Sequence, residues 1–345
     1  MSVETLTKRL ENYFSENDLS GSVRVTLKDR ILLENSYGYA DREKKISFTK
    51  DTLFPLYSMS KPLCTIGLLK LYDRGLLDID SHPGKYLPEA EELDSRLTIR
   101  MMLHHRSGIQ DFTGFPDITE KYSAKTTDEM RLALRELSKK PFNFPPNTAT
   151  QYSNINFFIS ALIIENVTGI PYAEYMRNEV FLPLGMKDTY VDFTTPIIEG
   201  GAVGYSLADG KVSAVSRVTD WYFGGGDVVS TVADAYSLNL AIKHNLLLKP
   251  STWQMALTPH SESDFALGCI VIRNWHGKRR IQHNGGSRGF RTIHVYIPED
   301  DLDIIFLSNC DFNDSRTKVC EIVYEEIYDR HGEPTLDVEM DKGYI

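Results

Sequence analysis

Two stretches of the chain are apolar on every side rather than on one. In 63–72 the run Leu63, Cys64, Ile66, Leu68, Leu69, Leu71 and Tyr72 leaves almost no polar face, and 154–167 (NINFFISALIIENV) does the same. A helix that is hydrophobic all round belongs in the interior. Arg74-Gly75 and Thr168-Gly169 supply the stops. Residues 1–18 alternate as an amphipathic helix, and shorter helical patterns fall at 97–103 (Thr98 in the first turn, Ser107-Gly108 as the stop), 127–137, 172–180, 230–243 and 317–328.

Period-two alternation marks the two ends instead. Residues 22–28 (SVRVTLK) and 31–39 (ILLENSYGY), joined by Asp29-Arg30, read as a β-hairpin; 266–272 (ALGCIVI), 278–284 (KRRIQHN), 290–297 (FRTIHVYI) and 303–309 (DIIFLSN) read as further strands. Strands at both ends with helices between them predict an α+β fold. One antiparallel sheet would be built from about 1–57 and 260–330, flanked by helices, with a mainly helical region over about 58–259, all in one domain spanning 1–345. The tail from His331 is polar.

Composition narrows the function. Of 345 residues 41% are hydrophobic and 25% charged, as in ordinary globular proteins, and the formal net charge of −10 with no basic stripe argues against a nucleic-acid partner. Four cysteines (Cys64, Cys269, Cys310, Cys320) show no metal spacing and read as free, mostly buried thiols. No window of about twenty apolar residues occurs, so no membrane span is expected. The first residues carry no apolar leader segment, which favours the cytoplasm. No cofactor motif is present; Gly224-Gly225-Gly226 lacks a following Gly-Lys-Ser/Thr, and Asp227 would repel phosphate. His104-His105 lacks a third metal ligand at suitable spacing and reads as packing.

The candidate chemistry sits where the first buried helix begins. Ser58 and Lys61 are three apart, on one face of a helical turn, so the amine can take the proton of an attacking hydroxyl. Ser-x-x-Lys also occurs at Ser47/Lys50 and Ser315/Lys318, but only the Ser58 copy opens a buried helix. Tyr152 stands in the one Tyr-x-Asn of the chain, beside the start of the second buried helix, and His283-Asn284-Gly285 closes a predicted strand.

Those three motifs in that order resemble the serine β-lactamase and penicillin-binding protein superfamily, most closely its class C branch, which also holds D-Ala-D-Ala carboxypeptidases, D-aminopeptidases and esterases. The resemblance implies a β-lactamase/transpeptidase-like fold and a serine hydrolase acting on a small-molecule ester, peptide or β-lactam. Ser58 would form the acyl-ester. Lys61 would be its base or the electrostatic partner of an ionised Tyr152; Tyr152, lowered by nearby cations, would move the proton to the leaving group; Asn154 would bridge Lys61 and a substrate amide. The backbone N–H groups of Ser58 and Gly286 would form the oxyanion hole, His283 would stand where a cation is usual, and Asn284, Gly285, Tyr222 and Arg288 would contact substrate. Two departures qualify this. Tyr57 replaces a glycine frequent in class C enzymes and would crowd Ser58 from behind. His in place of Lys at 283 favours ester or D-amino-acid peptide hydrolysis over β-lactam hydrolysis. The alternative is a non-catalytic penicillin-binding or sensor module on the same fold.

Overall fold

The computed structural model describes residues 3–312 and 315–329, with Arg273 and Trp275 described by backbone alone; the polar tail from His331 lies outside the described residues. Helix α1 (Val3–Glu16) buries Leu6, Leu10 and Phe14, one residue per turn, and so packs through a single apolar stripe. Strands β1 (Gly21–Leu27) and β2 (Arg30–Tyr37) form the expected hairpin, one residue earlier than its polar pattern suggests. Lys28 and Asp29 make the two-residue loop with φ of 51° and 61°, the left-handed pair that matches strand twist.

The central segment carries helices α2 (Ser60–Asp73), α3 (Ile99–Leu103), α4 (Thr127–Leu137), α5 (Ile155–Thr168) and α6 (Val232–His244). Thr98, Thr126 and Thr231 cap α3, α4 and α6, each accepting a hydrogen bond from a first-turn backbone N–H. The segment is not helical throughout. Val228–Ser230 is extended and pairs with Phe54–Pro55 and Tyr190–Val191, so α6 starts at Val232 rather than Ser230. Gly204–Ala208 pairs with Lys211–Val215, and the helix expected over 172–180 is α-helical at Tyr172–Met176 and widens into a π-turn at Arg177–Phe181.

Strands β3 (Ile270–Trp275), β4 (Lys278–Ser287), β5 (Phe290–Ile297) and β6 (Leu302–Ser308) precede helix α7 (Ser315–Tyr328). The strand expected from Ala266 begins at Ile270, because Gly268 takes φ of 73° and donates its N–H to Leu103 at the end of α3. Six strands form one antiparallel sheet in the order β3-β4-β5-β6-β1-β2, so the two termini share it as the sequence pattern implies.

The sheet separates two cores, which explains why β6 is apolar at nearly every position. Leu302, Ile304 and Phe306 face α1 and α7, whereas Ile305 and Leu307 join the large core containing α2 and α5. Asn309 ties the end of β6 to the loops: its buried amide lies 2.8 Å from the Val203 carbonyl and 3.1 Å from that of Tyr39. Asn309→Ala strands those carbonyls without water, and urea unfolding should show a loss of about 1–3 kcal/mol.

Candidate active site

Ser58 lies in a one-turn 3₁₀ segment, Tyr57–Met59, that leads directly into α2. Lys61, in the first turn of α2, has no solvent exposure. Its Nζ lies 3.0 Å from Ser58 Oγ, 2.8 Å from Asn154 Oδ1 and 2.7 Å from the Gly225 carbonyl oxygen. Two of these partners can only accept. A neutral amine therefore spends its two N–H groups on Asn154 and Gly225 and turns its lone pair to Ser58. Burial lowers the Lys61 pKa to about 7, against the opposing pull of the Asp111 and Asp227 carboxylates, so the neutral form is accessible near pH 7.

Tyr152 reaches the same hydroxyl from the other motif, its Oη 2.6 Å from Ser58 Oγ. Its phenol departs from the expectation of a lowered pKa. Desolvation at the floor of the site pushes it well above its ordinary value and outweighs the hydrogen bond to Ser58, so the phenol is protonated and donates.

Asn154 is aimed by a residue that sequence reasoning did not single out. Asp111 accepts from the backbone N–H of Asn154 at 3.0 Å and of Ile155 at 2.7 Å, and from Ser153 Oγ at 2.8 Å. It thereby caps α5 from a distant loop, since Asn154 does not cap its own helix. Its Oδ2 also lies 3.4 Å from Asn154 Nδ2, which leaves Oδ1 pointing at Lys61. Asp227 was noted in the sequence only as an obstacle to phosphate. One of its carboxylate oxygens accepts from Gly224 N–H at 2.7 Å, shaping the turn that presents the Gly225 carbonyl to Lys61, and burial raises its pKa to about 7. Gly224 itself has φ of 68°, and a Cβ there would sit 2.4 Å from the Phe157 carbonyl oxygen.

A cleft of ≈ 610 Å³ opens over Ser58, with Tyr152, Asn154 and Gly286 in its lining. Phe112, Ile155, Trp221 and Tyr222 supply apolar wall, and Asp111 and Asp220 are the charged side chains in it. Such a cavity, with a hydroxyl between a poised amine and a protonated phenol, is equipped for nucleophilic acyl transfer.

Residues 9–327 match the family described as Beta-lactamase. The chain belongs to the Beta-lactamase family. Penicillin-binding protein 4* of Bacillus subtilis (strain 168) is 27% identical over 327 residues, covering 88% of this chain and 71% of that relative. The octameric penicillin-binding protein homologue from Pyrococcus abyssi superposes with a TM-score of 0.81 at 19% identity, over 95% of this chain and 78% of that one. D-amino acid amidase from Ochrobactrum anthropi SV3, complexed with L-phenylalanine, gives a TM-score of 0.78 at 24% identity, over 94% and 99%. The expected α+β fold is thus the one these structures share.

Within this Beta-lactamase-family cleft the remaining expected residues divide. Tyr222 and Gly286 line it. Gly285 does not; a Cβ there would lie 2.2 Å from Leu56 O and 3.1 Å from Ser58 N, so glycine lets β4 lie against the turn that carries the nucleophile. Strand alternation turns the Asn284 side chain to the opposite face of the sheet from Gly285. Arg288 is exposed in the turn between β4 and β5, outside the lining.

His283 occupies a position where a cation is usual, but it is neutral. It is buried behind Tyr152, ring centroids 6.3 Å apart, and burial together with the nearby Lys61 lowers its pKa to about 3. Tyr57 lies behind Ser58 and is outside the cleft lining. Its ring is fully buried between Tyr222 and Phe290, with centroids at 5.7 and 5.8 Å, and it holds φ of 49°, a left-handed conformation costing roughly 1–2 kcal/mol in a residue with a Cβ. All four cysteines are buried and free, and burial raises the Cys64 thiol to about 12. Asp111→Ala should cost about 0.5–2 kcal/mol of stability through loss of the α5 cap, measured by urea unfolding. Because that carboxylate favours the ammonium form, the same change should lower the pH at which Lys61 loses its proton, read from ¹³C NMR of its ε-carbon.

Proposed function

We propose that the protein is a serine hydrolase that cleaves esters or amides through an acyl-Ser58 intermediate. The observation that carries this reading is the convergence of Lys61 Nζ and Tyr152 Oη on one hydroxyl, at 3.0 and 2.6 Å. In acylation the Ser58 oxygen attacks the substrate carbonyl as its proton passes to the Lys61 lone pair. Tyr152 gives its phenolic proton to the leaving oxygen or nitrogen as that bond breaks, and the Lys61 ammonium then returns a proton to the phenolate. Water takes the leaving group's place and the same two groups run the sequence in reverse, releasing the acid and restoring Ser58. The upward shift of Tyr152 supports Lys61 as the acylation base.

The carbonyl oxygen would sit between the backbone N–H groups of Ser58 and Gly286. Past Gln282 the edge of β4 on the β3 side pairs with no strand among the described residues, and the Ser58 turn packs there instead. Asn154, with Oδ1 on Lys61 and Nδ2 beside Asp111, would offer its second amide hydrogen to a substrate carbonyl.

Charge around the cleft argues for the substrate class. Its charged lining is Asp111 and Asp220, His283 is neutral and set back, and Arg288 stands outside. A carboxylate-bearing substrate, whether a β-lactam or a peptide ending in free D-Ala, meets like charge. Neutral acyl esters and D-amino-acid amides do not. A D-amino acid amidase is among the proteins of matching fold, in keeping with the second of these.

A fluorophosphonate probe should label Ser58, and Ser58→Ala should abolish both labelling and turnover; labelling that persists in the variant sinks the reading. Short acyl esters and D-amino-acid amides should exceed a chromogenic cephalosporin in kcat/KM by about tenfold or more, the scale of one like-charge contact near a surface. A cephalosporin turned over best of all would overturn the substrate class. The acid limb of kcat/KM should rise through about pH 7 as Lys61 loses its proton, since only the neutral amine can accept from Ser58. Lys61→Arg, charged at every working pH, should lower the rate by about 10²-fold or more.

A further inference from the structure

His105 belongs to none of the catalytic motifs, yet it grips Tyr152 from three directions. Its imidazole stacks on the phenol ring, centroids 4.5 Å apart at 25°. Its carbonyl accepts the N–H of Gln151 at 2.9 Å, and its Nδ1 accepts that of Ser153 at 3.1 Å, so the residues on both sides of Tyr152 hang from it.

The backbone shows what this arrangement displaces. After α3, His105 N–H bonds to Met102 O and Arg106 N–H to Met101 O, the paired bonds that end a helix through one left-handed residue. That slot favours glycine, and here His105 fills it with φ of 58°. A ring retained where glycine fits better indicates that the ring is used.

The hydrogen-bond roles are fixed by elimination. A backbone N–H can only donate, so His105 Nδ1 is the acceptor and its proton sits on Nε2. A carbonyl can only accept, so His283 Nδ1, 2.6 Å from the Asn284 oxygen, carries the proton and leaves Nε2 bare. Both Nε2 atoms are buried without a hydrogen-bond partner among the described residues. One is a spare donor and the other a spare acceptor, and the two rings flank the same phenol.

We propose that His105 is a positioning residue, a neutral imidazole fixed as its Nε2–H tautomer, whose face holds the Tyr152 phenol on Ser58. Burial disfavours the imidazolium form of both rings, and Lys61 presses the same way on each; His283 and His104 add to this at His105, and at His283 the neighbouring His294 adds to it while the Asn284 carbonyl opposes it. The kinetic part of this inference rests on the hydrolase reading above; the tautomer part does not.

His105→Gly is the informative variant, because glycine suits the left-handed turn and its carbonyl still receives Gln151. It should hydrolyse a p-nitrophenyl ester with kcat lowered about 10²-fold and KM within threefold, the pattern of a misplaced group rather than lost binding. His105→Asn, which tolerates the same backbone and offers an acceptor to Ser153 N–H, should recover about a tenth or more of the lost rate. A folded His105→Gly protein within twofold of the wild-type rate overturns the proposal. Independently, ¹⁵N-histidine NMR of the wild-type protein should show His105 as Nε2–H and His283 as Nδ1–H, both neutral from pH 6 to 8. An imidazolium or the opposite tautomer at either ring overturns it even if no variant folds, and absence of turnover in the wild type would instead count against the hydrolase reading alone.

Discussion

A dry amine governs this structure. Lys61 is held among two helices that have no polar face, and removing water is what brings its proton within reach of release near pH 7. Two carboxylates, Asp111 and Asp227, pull in the opposite direction, so the outcome is a balance between burial and charge rather than burial alone. The three oxygens around Nζ then convert a change of protonation into a direction in space. Because Asn154 and Gly225 can only receive, a neutral nitrogen presents its lone pair to Ser58 and to nothing else.

The fold supplies what that balance requires. The sheet separates two cores, and the larger contains the apolar helices that exclude water from Lys61. At its edge, the glycine at 285 lets β4 lie against the Ser58 turn at backbone distance. The N-terminus of α5, whose unpaired amides would otherwise need water, is closed by Asp111, and the same carboxylate orients Asn154. One side chain thus finishes a helix and sets the geometry around the amine.

Much of this was legible in the chain. The all-round apolarity of 63–72 and 154–167 marked the two central helices, period-two alternation marked five of the six sheet strands closely, and the motifs at Ser58, Tyr152 and His283 meet around one cleft or directly behind it. What escaped were effects that depend on neighbours brought in from elsewhere. Asp111 lies 43 residues before Asn154 in a loop with no periodic pattern, and nothing local marks it as a cap. The direction of the Tyr152 shift turns on how far its surroundings exclude water, which a motif cannot report; the same holds for the charge of His283, which its motif leaves open and which is found neutral. The start of the 266–272 strand was misplaced because Gly268 binds Leu103, a contact across more than 160 residues. Arg288 and Asn284 were drawn towards the cleft by adjacency in sequence, whereas the turn and the strand's alternation direct them elsewhere.

Tyr57 joins two parts of the cleft that could have been separate. The residue preceding the nucleophile packs edge-on against Tyr222, a wall of the cavity, and on its other side against Phe290 of β5. Reshaping the wall at Tyr222 therefore disturbs the seat of Ser58. The shape of the substrate wall and the seat of the nucleophile are thus coupled through one edge-on contact, and a change at either tyrosine is felt at the other.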